Sequence, residues 1–221
     1  MPYRRTQNVI RRLAAREESI REAARTIAAE DGMGAVQIAA VANRAGIAAG
    51  TVYRYFPAKT DLIAELVASV SRRELDAMRV AGNAAPGPLS ALAACVATFA
   101  ARALNERSLA WAVIAEPVDA DVDAMRLAFR QALAAELESR IKTAVDGRLL
   151  PEQDPRVSAP SLVGILMEGL IGPLAPSPAA GAAAARDAVQ NATLLCLRAL
   201  GVVDARARGL VAQVALPVSG S

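Results

Sequence analysis

The sequence contains no histidine, two cysteines and few aromatic side chains: three tyrosines, three phenylalanines and one tryptophan in 221 residues. Without histidine, the chain lacks the side chain that most often serves as general base, proton shuttle and metal ligand. The sequence also shows no phosphate-binding glycine loop, no nucleophile elbow and no metal-ligand spacing. We therefore predict that the protein is not an enzyme and has no catalytic residue, bound metal or cofactor.

Cysteine usage and hydropathy indicate the compartment. Cys95 and Cys196 are far apart and form no CxxC motif, so we predict two buried thiols rather than a disulfide framework. No signal-peptide pattern occurs, and no uncharged apolar run reaches the roughly eighteen residues that span a membrane. We expect a cytoplasmic protein with no membrane partner.

Alanine accounts for much of the 54% hydrophobic content, which favours an all-α protein with closely packed helices. In the first predicted helix, residues 17–31, Ile20, Ala23, Ala24 and Ile27 follow helical spacing. No strand is predicted. Further helices are expected at 58–79 (ending at Gly82), 89–104, 108–115, 120–145, 158–174 and 180–200.

Charge is unevenly distributed along the chain. Residues 1–60 carry a net charge of +5, whereas the remainder carries −2. A basic front joined to a nearly neutral body is typical of a module that binds a polyanion. Residues 1–15 hold four arginines and no acid, and we interpret them as a mobile basic arm that is helical only towards its end.

Two short helices, 38–45 and 49–56, flank a turn at Gly46 and predict a helix-turn-helix. The second carries three of the chain's seven aromatic residues. Helical spacing places Tyr53 with Phe56 and Val52 on one side and Thr51 with Tyr55 on another. A phenol packs against sugar or thymine methyl and hydrogen-bonds phosphate. Beyond Pro57, Lys59 begins the next helix, whose backbone N–H groups also favour phosphate.

The stretch "AGIAAGTVYRYFPAKTDLI", preceded by "IREAARTIAAEDGMGAVQIAAVANR", resembles the DNA-binding domain of the TetR family of bacterial transcriptional repressors over residues 16–66. The resemblance implies DNA contact at Thr51, Tyr53, Tyr55 and Lys59, and packing by Phe56. It also implies a homodimer that binds a palindromic operator and responds to a small-molecule effector. The full predicted DNA-binding set is Gln37, Ala49, Thr51, Tyr53, Arg54, Tyr55 and Lys59.

Several positions depart from the family pattern, and each departure removes a polar group. Gln37 stands where a serine or threonine usually caps the second helix, and alanines occupy 39, 40, 48 and 49 where polar residues are frequent. A lost cap costs about 1 kcal/mol. The arginines of the arm can compensate by supplying affinity to the DNA backbone or an adjacent minor groove.

The predicted domains are a basic arm (1–15), a helix-turn-helix three-helix module (16–60), a helical effector-binding and dimerisation domain (61–201) and a C-terminal tail (202–221). The resemblance places 158–174 and 180–200 in a four-helix dimer bundle, and glycines at 164, 169 and 172 allow close approach. With few polar groups available, a mainly apolar effector is expected. Candidate effector contacts are Phe99, Arg102, Trp111, Glu116, Met125, Phe129 and Met167.

The function predicted is a repressor released from its operator when an effector moves helix 58–79 and changes the spacing of the two recognition helices. Two alternatives stay open. A low-specificity DNA-coating protein is favoured by the arginine arm and the missing polar contacts. A helical small-molecule enzyme with a vestigial DNA-binding module is disfavoured by the absence of any catalytic constellation.

Overall fold

The computed structural model describes residues 2–116, 120–176 and 181–214, and the prediction of an all-α fold is confirmed for this part of the chain. A short 3-10 turn, Met33–Ala35, follows the first helix. The helices are α1 Pro2–Asp31, α2 Ile38–Arg44, α3 Ala49–Tyr55, α4 Lys59–Ala84, α5 Pro88–Asn105, α6 Arg107–Ile114, α7 Ala120–Asp146, α8 Pro155–Leu170, α9 Ala182–Ala199 and α10 Asp204–Gln213.

The expectation that the basic arm is helical only towards its end is wrong, because residues 2–15 form the first half of one continuous helix, α1. We call residues 2–19 the α1 extension, because Ile20 is the first buried residue among the side chains of this helix that the structure describes, from position 7 onwards. Val9, Ile10 and Leu13 of the extension are largely exposed. The apolar period that indicates a packed helix is therefore absent from this segment, although the backbone is helical.

Apolar side chains of α1 to α4 pack together and form the core of the N-terminal module. Ile20, Ala24 and Ile27 of α1 are buried, and so are Val41 of α2 and Val52 of α3. Helix α1 packs against α2, the 3-10 turn, α4 and α6. The module is thus attached to the rest of the molecule through α4, which continues the chain, and through α6, which packs on α1.

Helix α4 does not end at Gly82 as expected, but continues to Ala84. Gly82 is buried where α4 meets α5 and α7. A Cβ placed there would lie 2.6 Å from Cys95 Sγ and 2.6 Å from Arg140 Cζ. The glycine therefore permits a close approach of three helices and is not a helix terminator.

Helix α5 is central to the C-terminal body and packs against α4, α7 and α9, with smaller contacts to α6, α8 and α10. By length and hydropathy, it is the one helix in the described residues that could cross a membrane, but 61% of that stretch is buried inside the fold. This is the position of a core helix. Both Cys95 of α5 and Cys196 of α9 are buried thiols, as predicted.

Helix α8 begins at Pro155, three residues before the predicted start, because Asp154 caps it: Asp154 Oδ1 accepts a hydrogen bond from the Arg156 N–H at 3.0 Å. The tail assigned to 202–221 contains a further helix, α10, which packs against α9 and α5 and buries Ala207. The sequence did not predict α10, because this segment has few apolar residues.

Candidate nucleic-acid interface

The turn between α2 and α3 depends on Gly46, whose φ of +64° lies in the left-handed region that favours glycine. After it, the Ile47 N–H donates to the Ala42 carbonyl oxygen at 2.9 Å, closing the end of α2. Val41 and Val52 are fully buried and join the two helices. The opposite face of α3 is consequently directed away from the core.

Helical spacing predicted that Tyr53 and Phe56 lie on the same side, and the structure places them on different sides. Phe56 and Val52 are buried as predicted, but Tyr53 is 52% exposed and does not share their side. The reason is that α3 ends at Tyr55, and Phe56 has extended backbone angles (φ −130°, ψ 92°), so helical spacing no longer relates positions 53 and 56. Tyr55 is half-buried and packs against the core with its ring.

Helix α4 begins two residues after Pro57. The Ala58 N–H donates to Asp61 Oδ2 at 2.9 Å, which satisfies one of the backbone donors left over at the helix start. Lys59 is the first helical residue and is half-buried. Its ammonium therefore adjoins a helix N-terminus, a combination that attracts phosphate.

The two short helices lack side-chain caps, in agreement with the departures noted in the sequence. Gln37 is exposed at the N-cap of α2 and makes no capping hydrogen bond; its Nε2 donates instead to the Gly34 carbonyl oxygen at 2.9 Å. Ala48 at the N-cap of α3 has no side chain that could cap. Both starts leave backbone N–H groups that a bound anion can satisfy.

Of the predicted DNA-binding residues, Ala49, Thr51, Tyr53, Arg54 and Tyr55 lie together on α3. Gln37 and Lys59 lie at the starts of the preceding and following helices. An open groove of about 690 Å³ runs between α3 and the α1 extension, and its lining includes Thr51, Arg54 and Tyr55. It also includes Arg12 and Arg16, which were missed at the sequence level because the segment was interpreted as a mobile arm.

Two polar contacts among the described residues join the N-terminal module to the two ends of α6. Arg25 of α1 pairs with Glu106 at 2.6 Å, and Arg73 of α4 pairs with the same carboxylate at 3.1 Å. Partial burial opposes ionisation of Glu106, but its hydrogen bond with Arg25 and the two positive charges outweigh it and lower the pKa of this carboxyl. The triad links α1, α4 and the α5–α6 corner.

Glu116 makes the second connection. Its Oε2 accepts a hydrogen bond from the Met33 backbone N–H at 2.7 Å, across 83 residues of sequence. Glu116 follows the end of α6, and Met33 begins the 3-10 turn after α1. A residue predicted to contact an effector therefore contacts the N-terminal module directly.

Arg126 of α7 fixes the end of α6 and was not anticipated from the sequence. Its side chain is buried and donates to the carbonyl oxygens of Ala112 at 2.7 Å, Val113 at 2.8 Å and Glu116. Burial lowers the pKa of this guanidinium. The last carbonyls of α6 are thus satisfied by a side chain of α7, which makes α7, α6 and the 3-10 turn a continuous set of polar contacts.

The predicted effector contacts are distributed over α5 to α8 and the residues that follow α6. Phe99, Phe129 and Met167 are buried in the core, and Trp111 and Met125 are partly buried against it. Arg102 donates two hydrogen bonds to Glu74 of α4, at 2.6 and 2.8 Å, and this pairing raises its pKa. Arg102, like Glu116, already has an intramolecular partner.

The N-terminal module is similar in sequence to known proteins. Residues 20–66 match the family model described as bacterial regulatory proteins, tetR family. Over 72 residues the chain is 40% identical to the HTH-type transcriptional repressor KstR of Rhodococcus jostii (strain RHA1), a match that covers 33% of this chain and 32% of that protein. The similarity thus spans about a third of the length of this curated relative.

The fold as a whole has solved counterparts. The structure of RolR in complex with the ligand resorcinol superposes with a TM-score of 0.66 at 19% identity, covering 96% of this chain and 100% of that one. The transcriptional regulator FadR from Bacillus subtilis, in complex with stearoyl-CoA, gives a TM-score of 0.66 at 18% identity, covering 85% and 98%. At these identities the likeness establishes the fold alone.

Proposed function

Because the chain belongs to the TetR family of bacterial regulatory proteins, we propose that it is a homodimeric transcriptional repressor that leaves a palindromic operator when a small, mainly apolar effector binds. One observation carries the proposal. The face of α3 opposite the buried Val52 is exposed and presents Tyr53 and Arg54. The matched relative over this segment is named as a transcriptional repressor.

The proposed DNA contacts are the exposed or half-buried side chains of α3 and the starts of α2 and α4. Tyr53 and Thr51 offer hydroxyl groups, Arg54 a guanidinium and Lys59 an ammonium at a helix N-terminus. Phosphate contacts from these groups position the module, and α3 reads base edges in the major groove. Ala49 and Gln37 lie at the edges of this surface.

The exposed surfaces of α8 and α9 support the dimer. Gly164 and Gly169 of α8 are exposed, and a Cβ added to either would meet no atom within 4 Å. Val157 of α8 and Leu195 of α9 are large apolar side chains with 64% and 52% exposure. Small residues beside exposed apolar ones allow two helix pairs to approach closely across a twofold axis.

The proposed effector site lies among α5 to α8, where the candidate residues are mostly apolar. One neighbour by fold holds stearoyl-CoA and another resorcinol. A ligand that binds there only when α6 or α4 shifts would alter the module through Glu116 and the Arg25–Glu106 pair. The enzyme alternative gains no support from the comparisons, because the named relatives are regulators.

The test is selection of binding sites from random duplexes by the purified full chain, followed by footprinting. We expect a discrete palindrome whose half-sites lie about 34 Å apart, one helical turn. A continuous footprint without sequence preference would instead support the DNA-coating alternative, which the alanines at the DNA-facing helix starts favour.

The chain's two lysines provide a matched pair of variants for the selected duplex. Lys59→Ala should weaken binding to operator and random DNA about equally and reduce the salt slope by about 1, because one phosphate contact is lost. Lys142→Ala is the control, since Lys142 is exposed on α7 and paired with Asp146 at 2.8 Å. Equal behaviour of the two variants would remove the start of α4 from the interface.

A further inference from the structure

The arginines of the N-terminal module form two groups. Those near the body are paired with carboxylates: Arg21 with Glu65 at 3.2 Å, Arg25 with Glu106 at 2.6 Å, and Arg44 with Glu30 at 2.5 Å. Among the side chains that the structure describes, Arg12, Arg16 and Arg54 form no ion pair. These three positive charges line the same groove.

The groove has two helical walls. On the α1 extension, the lining residues are Arg12, Leu13, Ala15, Arg16 and Ser19, which follow the spacing of one helix face. On the other side are the turn at Gly46–Ala48 and the α3 residues Thr51, Arg54 and Tyr55. The groove therefore runs beside α3, with guanidinium groups and hydroxyl groups on both walls.

This lining matches one chemical class of occupant. Guanidinium groups and hydroxyls donate hydrogen bonds to phosphate oxygens, and guanidinium binds phosphate in two-point geometry. The groove is open along its length and is not an enclosed chamber, so it suits a polymer backbone that continues beyond it. Arg12 and Arg16 are about 6 Å apart along the helix axis, one turn, so their long side chains can reach separate phosphates.

We infer that the α1 extension is a second DNA-binding element, in which Arg12 and Arg16, together with Arg54 across the groove, hold the sugar-phosphate backbone of the duplex that α3 reads. The inference rests on the proposed DNA-binding function and extends the binding surface beyond α2, α3 and the start of α4. In a module with alanine at positions 39, 40, 48 and 49, phosphate contacts from α1 would replace those that polar residues at these positions would supply.

The experiment measures binding of the full chain to a labelled random-sequence duplex of about 30 base pairs, roughly three helical turns, at stepped salt concentrations. Arg12→Ala and Arg16→Ala should each reduce the slope of log affinity against log salt by about 0.9, and the double variant by about twice that. The Arg12→Lys/Arg16→Lys variant should restore the slope, because a lysine also neutralises a phosphate.

Arg11→Ala is the matched control. Arg11 is an exposed arginine of the same helix, adjacent to Arg12, and does not line the groove. Arg11, Arg12 and Arg16 are all exposed, so the core is untouched and alanine preserves the helix. Thermal unfolding should confirm equal stability for every variant.

The outcomes separate the inference from the proposed function. If the salt slopes of Arg12→Ala and Arg16→Ala equal that of Arg11→Ala, the inference that the groove binds DNA is overturned. This holds whether all three slopes match the parent or all three are reduced. If Lys59→Ala still weakens binding in that case, the proposed function stands without the extension. A parent chain that does not bind duplex DNA overturns both.

Discussion

At the scale of single residues, exposure within α3 is decided by where the helix ends. Tyr53, Arg54 and Tyr55 follow one another, yet they are exposed, exposed and half-buried, respectively. Phe56 leaves the helix in an extended conformation ahead of Pro57 and turns its ring into the core. One residue in a non-helical conformation thus directs a phenyl ring inward while the phenol of Tyr53 stays accessible to a partner.

The residue-scale prediction concerns Glu116. Replacing Glu116 with alanine removes the acceptor at 2.7 Å from the Met33 N–H, and loss of a hydrogen bond to a charged group costs about 1.5–3 kcal/mol. We expect faster hydrogen exchange at the Met33 amide than in the parent, while amides in the buried part of α5 keep their protection. Glu116→Gln retains a carbonyl oxygen and should exchange at an intermediate rate. Unchanged Met33 exchange in Glu116→Ala would show that this contact does not hold the turn.

At the scale of secondary-structure elements, the two domains meet mainly where α6 packs on α1 and where α4 passes from one to the other. Helix α6 is short, and its final carbonyls depend on Arg126 of α7. Movement of α7 therefore has a direct polar route to the 3-10 turn beside α2. The Arg25–Glu106–Arg73 triad adds a charged contact at the opposite end of α6.

The element-scale prediction is a pH dependence at this contact. Because the folded protein holds the pKa of Glu106 below its ordinary value of 4.5, the ionised carboxylate stabilises the folded state above that value, and the contribution is lost as pH falls through the lowered folded pKa. Glu106→Gln should therefore lower the free energy of unfolding at pH 7 by about 0.2–1 kcal/mol, the range for partly exposed pairs.

The same variant should lose less stability than the parent on acidification, so that the two unfolding free energies converge below pH 4.5. Denaturant titrations at several pH values measure this difference. Glu138→Gln, another single-charge change in a glutamate outside the triad, is the control variant. Parallel curves for the parent and Glu106→Gln would contradict the stabilising role of the ion pairs.

At the scale of the whole molecule, the ten described helices form an N-terminal module and a body arranged around α5. The body leaves exposed apolar side chains on α8 and α9, while the module leaves exposed cationic ones on α1 and α3. In the proposed dimer, the apolar surface of α8 and α9 joins two copies and thereby sets the distance between their two cationic surfaces. Binding to a palindrome then depends on the interface, because each half-site receives one module.

The whole-molecule prediction is that Gly169→Leu shifts the protein towards monomer. Gly169 has no neighbour within 4 Å of an added Cβ, so the monomer should fold as before. In a dimer seam the same side chain overpacks, at about 1–3 kcal/mol for each copy, and operator binding should fall with dimerisation. Sedimentation of Gly169→Leu beside Gly209→Leu, an equally open glycine in α10, makes the comparison. A dimer as tight as the parent would assign the interface to another surface, beginning with α9.

The all-helical class and the position of the helix-turn-helix were determined by the sequence alone. Local signals carried both: abundant alanine, apolar residues at helical spacing from Ile20 to Ala28, glycine at position 46 and proline at position 57. Exposure of one face of α3 also followed in outline, since Val41 and Val52 are apolar residues that must be buried. These features depend on residues close in sequence, where propensity and periodicity act directly.

The tertiary structure decided what depends on residues far apart in sequence. In the sequence, Gly82 resembles a helix end, but in the fold it lies against Cys95 of α5 and Arg140 of α7. Glu116 pairs with a backbone amide 83 residues away. The sequence of the α1 extension shows no apolar period, and none of its side chains from position 7 to 19 is buried. Arg12 and Arg16 line a groove whose other wall is α3, and the sequence does not show that these two segments lie side by side.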